Sequence, residues 1–264
     1  KPLKYKEVRV IKGDPTKVGD WQDEVSGHDI LINLAGSSIF QRWTEENKRV
    51  IRESRILTTR NLVDSLSKAK DSVTLFSTSA VGYYGFCGDE VLTESSPPGR
   101  DFLAQVSRDW EEEAKRAEEM GHRVVITRFG IVLGRQGGAL AMMMRPFRYF
   151  LGAGLGSGRQ YFSWIHERDL VAAFLFLTEK EISGPVNLTA PNPVTNMELM
   201  RTISKVLKRP IIMPNVPGFL LRLFLGEFAV VLLNGQRVIP KRLGDLGFGF
   251  SYPHIEGALL DLLS

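Results

Sequence analysis

The stretch "DILINLAG", residues 29–36, decides the fold class. It is a continuous apolar run that stops at Gly36, as a buried strand of a parallel sheet does. The runs "SVTLFSTS" at 72–79 and "RVVITRFGIVLG" at 123–134 have the same character. Helical patterns lie between them, one beginning at the N-cap Thr44 and one over 104–120. This alternation predicts an α/β protein with a doubly wound parallel sheet.

The remaining segments extend this pattern at both ends of the chain. "EVRVIKGD" at 7–14 predicts a short strand. After residue 150 a long glycine-rich loop leads into predicted helices at 168–180 and 196–208 and predicted strands at 185–190 and 210–214. We therefore divide the chain into a larger domain over 1–150 and a smaller α+β lobe over 151–264.

Composition narrows the class of partner and the compartment. The net charge of +4 in 264 residues is small and spread along the chain, so we expect no nucleic-acid partner. The single cysteine, Cys87, cannot form an internal disulfide and indicates a reducing compartment, which we take to be the cytoplasm. "FLLRLFLGEFAVVLLN" at 219–234 contains Arg222 and Glu227 and is short for a bilayer span. We interpret it as a buried or amphipathic helix and expect no membrane partner.

The glycine pattern does not reveal a phosphate-binding turn. No G-x-G-x-x-G and no Walker loop occurs in the sequence. Gly82, Gly85 and Gly88 form a G-x-x-G-x-x-G pattern, but an acidic, proline-containing loop follows it instead of a helix. A phosphate cradle needs the helix, because the amino terminus of the helix holds the phosphate.

Six motifs in this order carry a family resemblance: "NLAG", "ESR", "GYYG", "TRFGIVLG", "PFRYFLGAGLGSGRQYFSWIHERDL" and "GQRVIPKRL". Together they resemble the atypical extended short-chain dehydrogenase/reductases of the YfcH-like, epimerase-family group. That group includes proteins described as SulA-type cell-division inhibitors, and its C-terminal segment, here from about residue 213, is a recurrent domain of unknown function. The resemblance implies a Rossmann-type fold that binds NADP(H) rather than NAD(H).

The family begins with a β-α-β unit that carries a G-G-x-G-F-I-G-like turn, and this sequence does not contain it. Its first strand resembles the third strand of the family. We therefore expect either an N-terminal segment of roughly 30–45 residues, the size of one βαβ unit, or a chain that cannot form the normal fold alone. The residues that distinguish NADP(H) from NAD(H) belong to that segment.

The catalytic residues are not identified by the usual motif. Ordinary members of the superfamily use a Tyr-x-x-x-Lys pair, in which the lysine lowers the tyrosine pKa. None of the six tyrosines here is followed by lysine at that spacing. The remaining candidates are Ser79, Tyr83, Tyr84 and His166. Each has a structural alternative: the tyrosines pack a turn, Ser79 bonds to the backbone, and His166 bonds to Asp169.

The resemblance implies a set of cofactor contacts at the strand ends and nearby. These residues are Asn33, Leu34, Ala35, Gly36, Arg55, Thr78 and Val132. Arg55 has a solvated helix charge as its alternative. Arg128 is either a pocket residue or a structural ion-pair partner.

The glycine-rich loop supplies the substrate candidates. Arg159 offers a guanidinium that suits carboxylate or phosphate, and Gln160, Trp164 and Lys241 complete the set. Lys241 lies in a basic turn whose default interpretation is a solvated charge. Three of the four histidines are scattered, and ligand spacing is absent, so we expect no metal site.

Two functions from different classes fit these patterns. The first is an NADP-dependent oxidoreductase or epimerase that works without the Tyr-x-x-x-Lys pair on a small-molecule substrate, as a monomer or homodimer. The second is a non-catalytic NADP(H)-binding protein with a regulatory or redox-sensing role. A sugar-nucleotide-binding module is a third reading and rests on analogy alone. We lean toward an enzyme, and the sequence identifies neither substrate nor reaction direction.

Overall fold

The structure is a computed structural model and describes residues 8–264. Its strands are β1 Ile30–Asn33, β2 Thr74–Ala80, β3 Val91–Leu92, β4 Arg123–Phe129, β5 Ile131–Gly134, β6 Tyr161–Phe162, β7 Trp164–His166, β8 Gly184–Leu188, β9 Val194–Thr195 and β10 Arg237–Val238. Its α-helices are α1 Glu45–Ser65, α2 Phe102–Glu119, α3 Gly138–Arg148, α4 Glu167–Thr178, α5 Asn196–Leu207, α6 Gly218–Leu225, α7 Ala229–Leu233, α8 Lys241–Asp245 and α9 Ile255–Leu263.

Four parallel strands form the central sheet in the order β1-β2-β4-β8. The two inner strands, β2 and β4, bury apolar side chains on both faces. Leu75 and Val124 point to one face, and Phe76 and Val125 point to the other. Such strands need helices on both sides of the sheet to keep their side chains from water. The predicted doubly wound α/β fold is confirmed.

Helices α1 and α2 cover one face of this sheet, and α4 covers the other. Thr44 caps α1 by accepting a hydrogen bond from the backbone N–H of Asn47, as the sequence predicts. Asp101 caps α2 by accepting from the N–H groups of Leu103 and Ala104. These caps satisfy N–H donors that have no partner within the helix, so both helices start at defined positions against the sheet.

A second core lies beyond the sheet, between β5, β7, α3, α5 and α9. Strands β5 and β7 pair in parallel, and α5 packs on α9. The buried members of this core are Leu133, Leu140, Met144, Phe147, Trp164, Ala190, Leu199, Met200, Ile203, Ile255, Ala258, Leu259 and Leu262. This core holds the C-terminal part of the chain against the strands that follow β4.

Two predicted strands are not formed. Residues 8–14 have no regular secondary structure, and Glu7, the first residue of that prediction, lies outside the described residues. Val10 and Ile11 are exposed, because no strand of the described chain pairs with this segment. The segment 210–214 contains Pro210 and Pro214, which lack the N–H donors that a sheet requires.

The apolar segment at 219–234 forms two helices instead of one. Gly226 has a φ of 63°, a left-handed conformation that ends α6 before α7 begins. Within residues 8–264 no helix combines the length and hydropathy that crossing a membrane would need.

Replacing Leu259 by alanine tests the second core. Leu259 is fully buried in α9, whereas the adjacent Leu260 is 52% exposed. We expect Leu259→Ala to lower the free energy of unfolding by about 2–5 kcal/mol, because the surrounding side chains cannot fill the cavity. Leu260→Ala is the matched control and should change it by less than about 0.5 kcal/mol. Urea unfolding followed by circular dichroism measures both, and equal effects would contradict the assigned packing.

Candidate functional site

The carboxyl ends of the four parallel strands lie along one edge of the sheet. The strand register aligns Asn33 with Ser77, and it aligns Ser79, Arg128 and Asn187 across three strands. In open α/β sheets ligands bind at this edge. Most of the predicted cofactor and catalytic residues therefore come together here.

A buried ion pair occupies the centre of this edge. Arg128, at the end of β4, donates two hydrogen bonds to Glu111 of α2, with Nε–Oε1 at 2.8 Å and Nη2–Oε2 at 2.7 Å. Each side chain is 3% exposed or less. Burial lowers the pKa of Arg128, but the hydrogen bonds and charge of Glu111 outweigh this and hold the pKa above its ordinary value. Of the two alternatives for Arg128, the structure supports the ion-pair partner.

Ser79 and Tyr84 are both tied into this ion pair. Ser79 Oγ donates to Glu111 Oε1 at 2.6 Å. Tyr84 accepts from Arg128 Nη1 at 3.0 Å and donates to Asn187 Oδ1 at 2.6 Å. Burial raises the pKa of Tyr84 to about 12, against the opposing influence of Arg128. Because the Tyr84 hydroxyl is buried, has a raised pKa and already has two hydrogen-bond partners, we assign it a structural role and not one in proton transfer.

Tyr83 is placed differently from its neighbour. It is partly exposed, and its ring stands perpendicular to that of Tyr84. The Arg128 guanidinium lies 3.5 Å from the centroid of the Tyr83 ring, which is a close cation–π contact. Of the four catalytic candidates, Tyr83 is the one that is neither fully buried nor hydrogen-bonded through its side chain within residues 8–264.

Arg55 lies beside the loop that follows β1. Its Nη1 donates to the backbone carbonyl of Ile51 at 2.8 Å, and its guanidinium lies 5.4 Å from the Trp110 ring. A Cβ placed on Gly36 would stand 3.1 Å from Arg55 Cζ, so glycine lets the loop approach the guanidinium. Burial lowers the pKa of Arg55, and no carboxylate of the described chain pairs with it. A half-buried arginine without a counter-charge is suited to bind an anion.

Among the other predicted cofactor residues, some stabilise the loop after β1 and others are exposed at the surface. Asn33 donates to Thr59 Oγ1 at 2.8 Å and accepts from the Ala35 N–H at 3.2 Å, so its side chain shapes the loop. Leu34 is 63% exposed, and Gly36 is also exposed. Thr78 Oγ1 is buried and has no hydrogen-bond partner in the part of the chain that the structure describes. Val132 lies in β5, where it pairs with Ile165 and is partly buried.

Two substrate candidates in the glycine-rich loop, Arg159 and Gln160, have different environments. Gln160 donates to the carbonyls of Leu155 at 3.0 Å and Leu232 at 2.8 Å, so it joins the loop to the end of α7. Arg159 is exposed, and its guanidinium has no ion-pair partner among residues 8–264. Arg159 is free to bind an anionic ligand, whereas the Gln160 nitrogen is occupied.

Two substrate candidates, Trp164 and Lys241, lie where the chemistry predicted for them does not fit. Trp164 is fully buried in the second core and donates to the Asn192 carbonyl at 3.2 Å. Lys241 pairs with Asp245 at 2.6 Å on an exposed turn of α8. Trp164 cannot contact a substrate, because core residues enclose its side chain. Lys241 is best described as a solvent-exposed charge, which is the alternative that the sequence favoured.

His166 is likewise buried and inaccessible to a substrate. Its ring is fully buried and stacks on Tyr252 with centroids 3.9 Å apart. Nδ1 accepts from the Arg168 N–H at 3.0 Å, and Nε2 lies 3.3 Å from Asp261 of α9. Asp169, the partner expected from the sequence, bonds to the N–H groups of Ser251 and Tyr252. His166 therefore caps α4 and joins it to the C-terminal helix.

Sequence reasoning missed Glu111, the partner that explains Arg128. The available signal was the arginine itself, since a charge in a buried strand requires a counter-charge. Glu111 follows Trp110 on the helix face that packs on the sheet. Nothing in its own neighbourhood, "RDWEEEAK", distinguishes it from the two glutamates that follow. No group of three His, Cys, Asp or Glu side chains in the described ranges is arranged to hold a metal ion.

Residues 1–189 match the model of the NAD dependent epimerase/dehydratase family. The chain belongs to this family. Residues 216–262 match a domain of unknown function, DUF1731. The chain is 46% identical to the chloroplastic epimerase family protein SDR39U1 homolog of Arabidopsis thaliana, over 91% of this chain and 70% of that one. It is 42% identical to the epimerase family protein YfhF of Bacillus subtilis, over 92% and 80%.

A solved structure supports the same assignment. The human epimerase family protein SDR39U1, isoform 2, crystallised with NADPH, superposes with a TM-score of 0.83 at 33% identity. The match covers 91% of this chain and 85% of the human one. This epimerase-family chain therefore shares its fold with a human protein of the same family.

Removing Glu111 tests the ion pair. We expect Glu111→Ala to lower the free energy of unfolding by about 3–5 kcal/mol, because it leaves the buried Arg128 charge without a partner. Glu112→Ala is the control, since the Glu112 side chain is 65% exposed and lies 3.9 Å from Arg108. Denaturant unfolding compares the two. A loss below about 1 kcal/mol for Glu111→Ala would show that the pair is not desolvated.

The burial of His166 predicts a pH dependence of stability. Burial lowers the pKa of His166, and the opposing charge of Asp261 does not restore it. The unfolded chain therefore takes up a proton below about pH 6.5 that the folded protein resists, so stability is lost as the pH falls from there. His166→Asn keeps a side chain that can cap α4 and should flatten this slope, whereas His254→Asn, at an exposed site, should not. Urea unfolding between about pH 5 and 7 measures it, and identical slopes for both variants would contradict the assignment.

Proposed function

We propose that this protein binds NADP(H) and acts as an oxidoreductase or epimerase of the atypical short-chain group, without a Tyr-x-x-x-Lys pair. The observation that carries the proposal is Arg55, a half-buried guanidinium beside Gly36 with no carboxylate partner among the described residues. An anionic dinucleotide supplies the counter-charge that this position lacks. The NADPH in the human relative supports the choice of cofactor.

The residues at the strand ends fit such a cofactor in two respects. Arg55 offers charge-assisted hydrogen bonds to a phosphate or ribose oxygen. Thr78 Oγ1 is a buried polar atom without a partner in the described chain, so a ligand amide or hydroxyl would satisfy it. The bound nicotinamide would supply the hydride donor or acceptor. Asn33, through its bonds to Thr59 and Ala35, would keep the loop open for it.

Tyr83 is our candidate for the group that moves a proton. It is partly exposed at the sheet edge, whereas Ser79, Tyr84 and His166 are buried and have partners. The Arg128 guanidinium, 3.5 Å from the centroid of its ring, favours this orientation of the side chain. Within this proposal residues 1–150 hold the cofactor and residues 151–264 hold the substrate.

The substrate of the proposed reaction is a small molecule with an anionic group. Arg159 supports this class, because its exposed guanidinium can bind a carboxylate or phosphate in two-pronged geometry. We further propose a cytoplasmic monomer or homodimer with no nucleic-acid partner. The kinship with YfcH-like and SulA-type proteins that the motifs suggested belongs to this proposal as well.

A non-catalytic, regulatory NADP(H)-binding protein is the second candidate. It is favoured by the closed ion-pair network, in which the hydroxyls of Ser79 and Tyr84 already have partners. Turnover of NADPH with a library of small carbonyl compounds separates the two functions. Tight binding with no turnover of any compound would favour the regulatory role, and turnover that Tyr83→Phe abolishes would favour the enzyme.

Fluorescence titration with NADPH, with NADH alongside, tests the proposal. We expect Arg55→Gln to weaken NADPH binding about 10- to 100-fold, the effect of losing a charge-assisted hydrogen bond. Arg52→Gln is the matched control, since Arg52 lies on the same helix and pairs with Asp109 at 2.9 Å. The intact mass of the purified protein should be determined first.

Two outcomes would count against this reading. If a protein of 29.6 kDa binds neither nucleotide, this chain does not work as a dinucleotide-binding protein. If NADPH binds and both arginine variants bind it equally well, the cofactor is held elsewhere and Arg55 serves another purpose.

A further inference from the structure

Helix α6 is apolar and yet buries none of its side chains. Its sequence is "GFLLRLFL", and none of its residues is buried. Phe219 and Leu223 are each 68% exposed, and Phe224 is 74% exposed. In α5, by contrast, the apolar residues Leu199 and Ile203 are fully buried. An exposed cluster of large apolar side chains on a soluble domain marks a surface that binds something.

The segment that follows α6 anchors the helix to the rest of the chain. Phe228, just after α6, packs against Trp43 with ring centroids 5.9 Å apart, and Phe40 lies edge-on at the same distance. Glu227 pairs with Lys48 of α1 at 2.5 Å. These contacts attach α6 to the loop after β1, so its outward face projects from a fixed base.

Two arginines beside this face have no ion-pair partner within residues 8–264. Arg222 is exposed on α6 itself. Arg42 is exposed below it, with Nε 3.4 Å from where a Cβ would stand on Gly226. Neither arginine has a carboxylate partner in the described part of the chain. The nearby carboxylate, Glu227, is neutralised by Lys48.

This combination selects an anionic lipid surface over a second copy of the chain. Large apolar side chains with arginines beside them match the boundary between acyl chains and charged headgroups. A two-fold dimer through the same face would instead bring Arg42 and Arg222 close to their own copies, and like charges oppose such contacts. A helix of this size, about 12 Å long, lies on a bilayer and cannot span it.

We propose that α6 docks this protein on the surface of a membrane that contains anionic lipid. Phe219, Leu223 and Phe224 enter the headgroup boundary, and Arg42 and Arg222 contact lipid phosphates. This revises the expectation from the sequence that no membrane takes part. The proposal does not depend on NADP(H) binding, because α6 contributes none of the residues assigned to the cofactor.

Co-sedimentation with lipid vesicles tests the proposal on the full chain. The vesicles are phosphatidylcholine alone or phosphatidylcholine mixed with phosphatidylglycerol. We expect binding to the mixed vesicles, weakened by salt and by about fivefold in Arg222→Gln. The double variant Leu223→Gln/Phe224→Gln should lose binding. The control Val171→Gln/Leu175→Gln changes two side chains of α4 that are 59% and 63% exposed, and it should bind like the parent.

Three outcomes would overturn the proposal. The first is no binding to the mixed vesicles. The second is equal loss in the α6 and α4 double variants, which would make the effect one of general hydrophobicity. The third is dimerisation in size-exclusion chromatography with light scattering that only the α6 variant abolishes, which would assign this face to a second copy. An unchanged melting temperature of each variant shows that a loss of binding does not come from unfolding.

Discussion

The buried ion pair between Glu111 and Arg128 is the interaction on which the organised edge of the sheet depends. It joins α2 to the end of β4, and through Ser79 it also holds the end of β2. A buried charge is tolerated only when its hydrogen-bonding capacity is satisfied. The hydroxyls of Ser79 and Tyr84 are therefore hydrogen-bonded to the ion pair. These two side chains resemble catalytic groups, but they stabilise the edge of the sheet. What remains open to a ligand there is the partly exposed Tyr83 and the loop beside Arg55, and the buried Thr78 Oγ1 still lacks a partner among the described residues.

The same network extends to the C-terminal segment. Glu94 Oε1 accepts from the backbone N–H of Asn187 at 3.0 Å and from that of Arg242 at 3.2 Å. Asn187 also donates to the Ile239 carbonyl at 3.1 Å. Arg242 in turn donates to the carbonyls of Ser183 and Pro185, each at 2.8 Å. The basic turn "PKRL" thus connects the C-terminal segment to β8, and any motion of that segment would disturb the edge that Arg128 organises.

The fold could be predicted further than the site. The apolar runs at 72–79 and 123–134 contain the inner strands β2 and β4, which are buried because helices cover both faces of the sheet there. The run at 29–36 also forms a strand, but the expectation that it is buried is wrong: β1 lies at the edge of the described sheet, where Ile30 and Ile32 are 41% and 49% exposed. The strand predicted for 7–14 is not formed over residues 8–14, because a strand also needs a partner, which the residues of the segment do not specify. Trp164 and His166 alternate in a strand after a glycine-rich loop, a pattern equally typical of a pocket and of a core. Burial by α5 and α9, which lie 30 or more residues later, decided between them.

Pairing separates the arginines that build the fold from those left for ligands. Arg128 donates its hydrogen bonds to Glu111, and Arg242 donates to backbone carbonyls. Removing either arginine would leave buried acceptors without a hydrogen bond. Arg55, Arg159 and Arg222 have no carboxylate partner in the described chain, and each stands beside a feature that admits a ligand. These features are a glycine at the sheet edge, a glycine-rich loop and an uncovered apolar helix. Sequence cannot make this distinction, because both kinds of arginine lie among similar residues. In one case the counter-charge comes from a distant element of the chain, and in the other we propose that a bound anion supplies it.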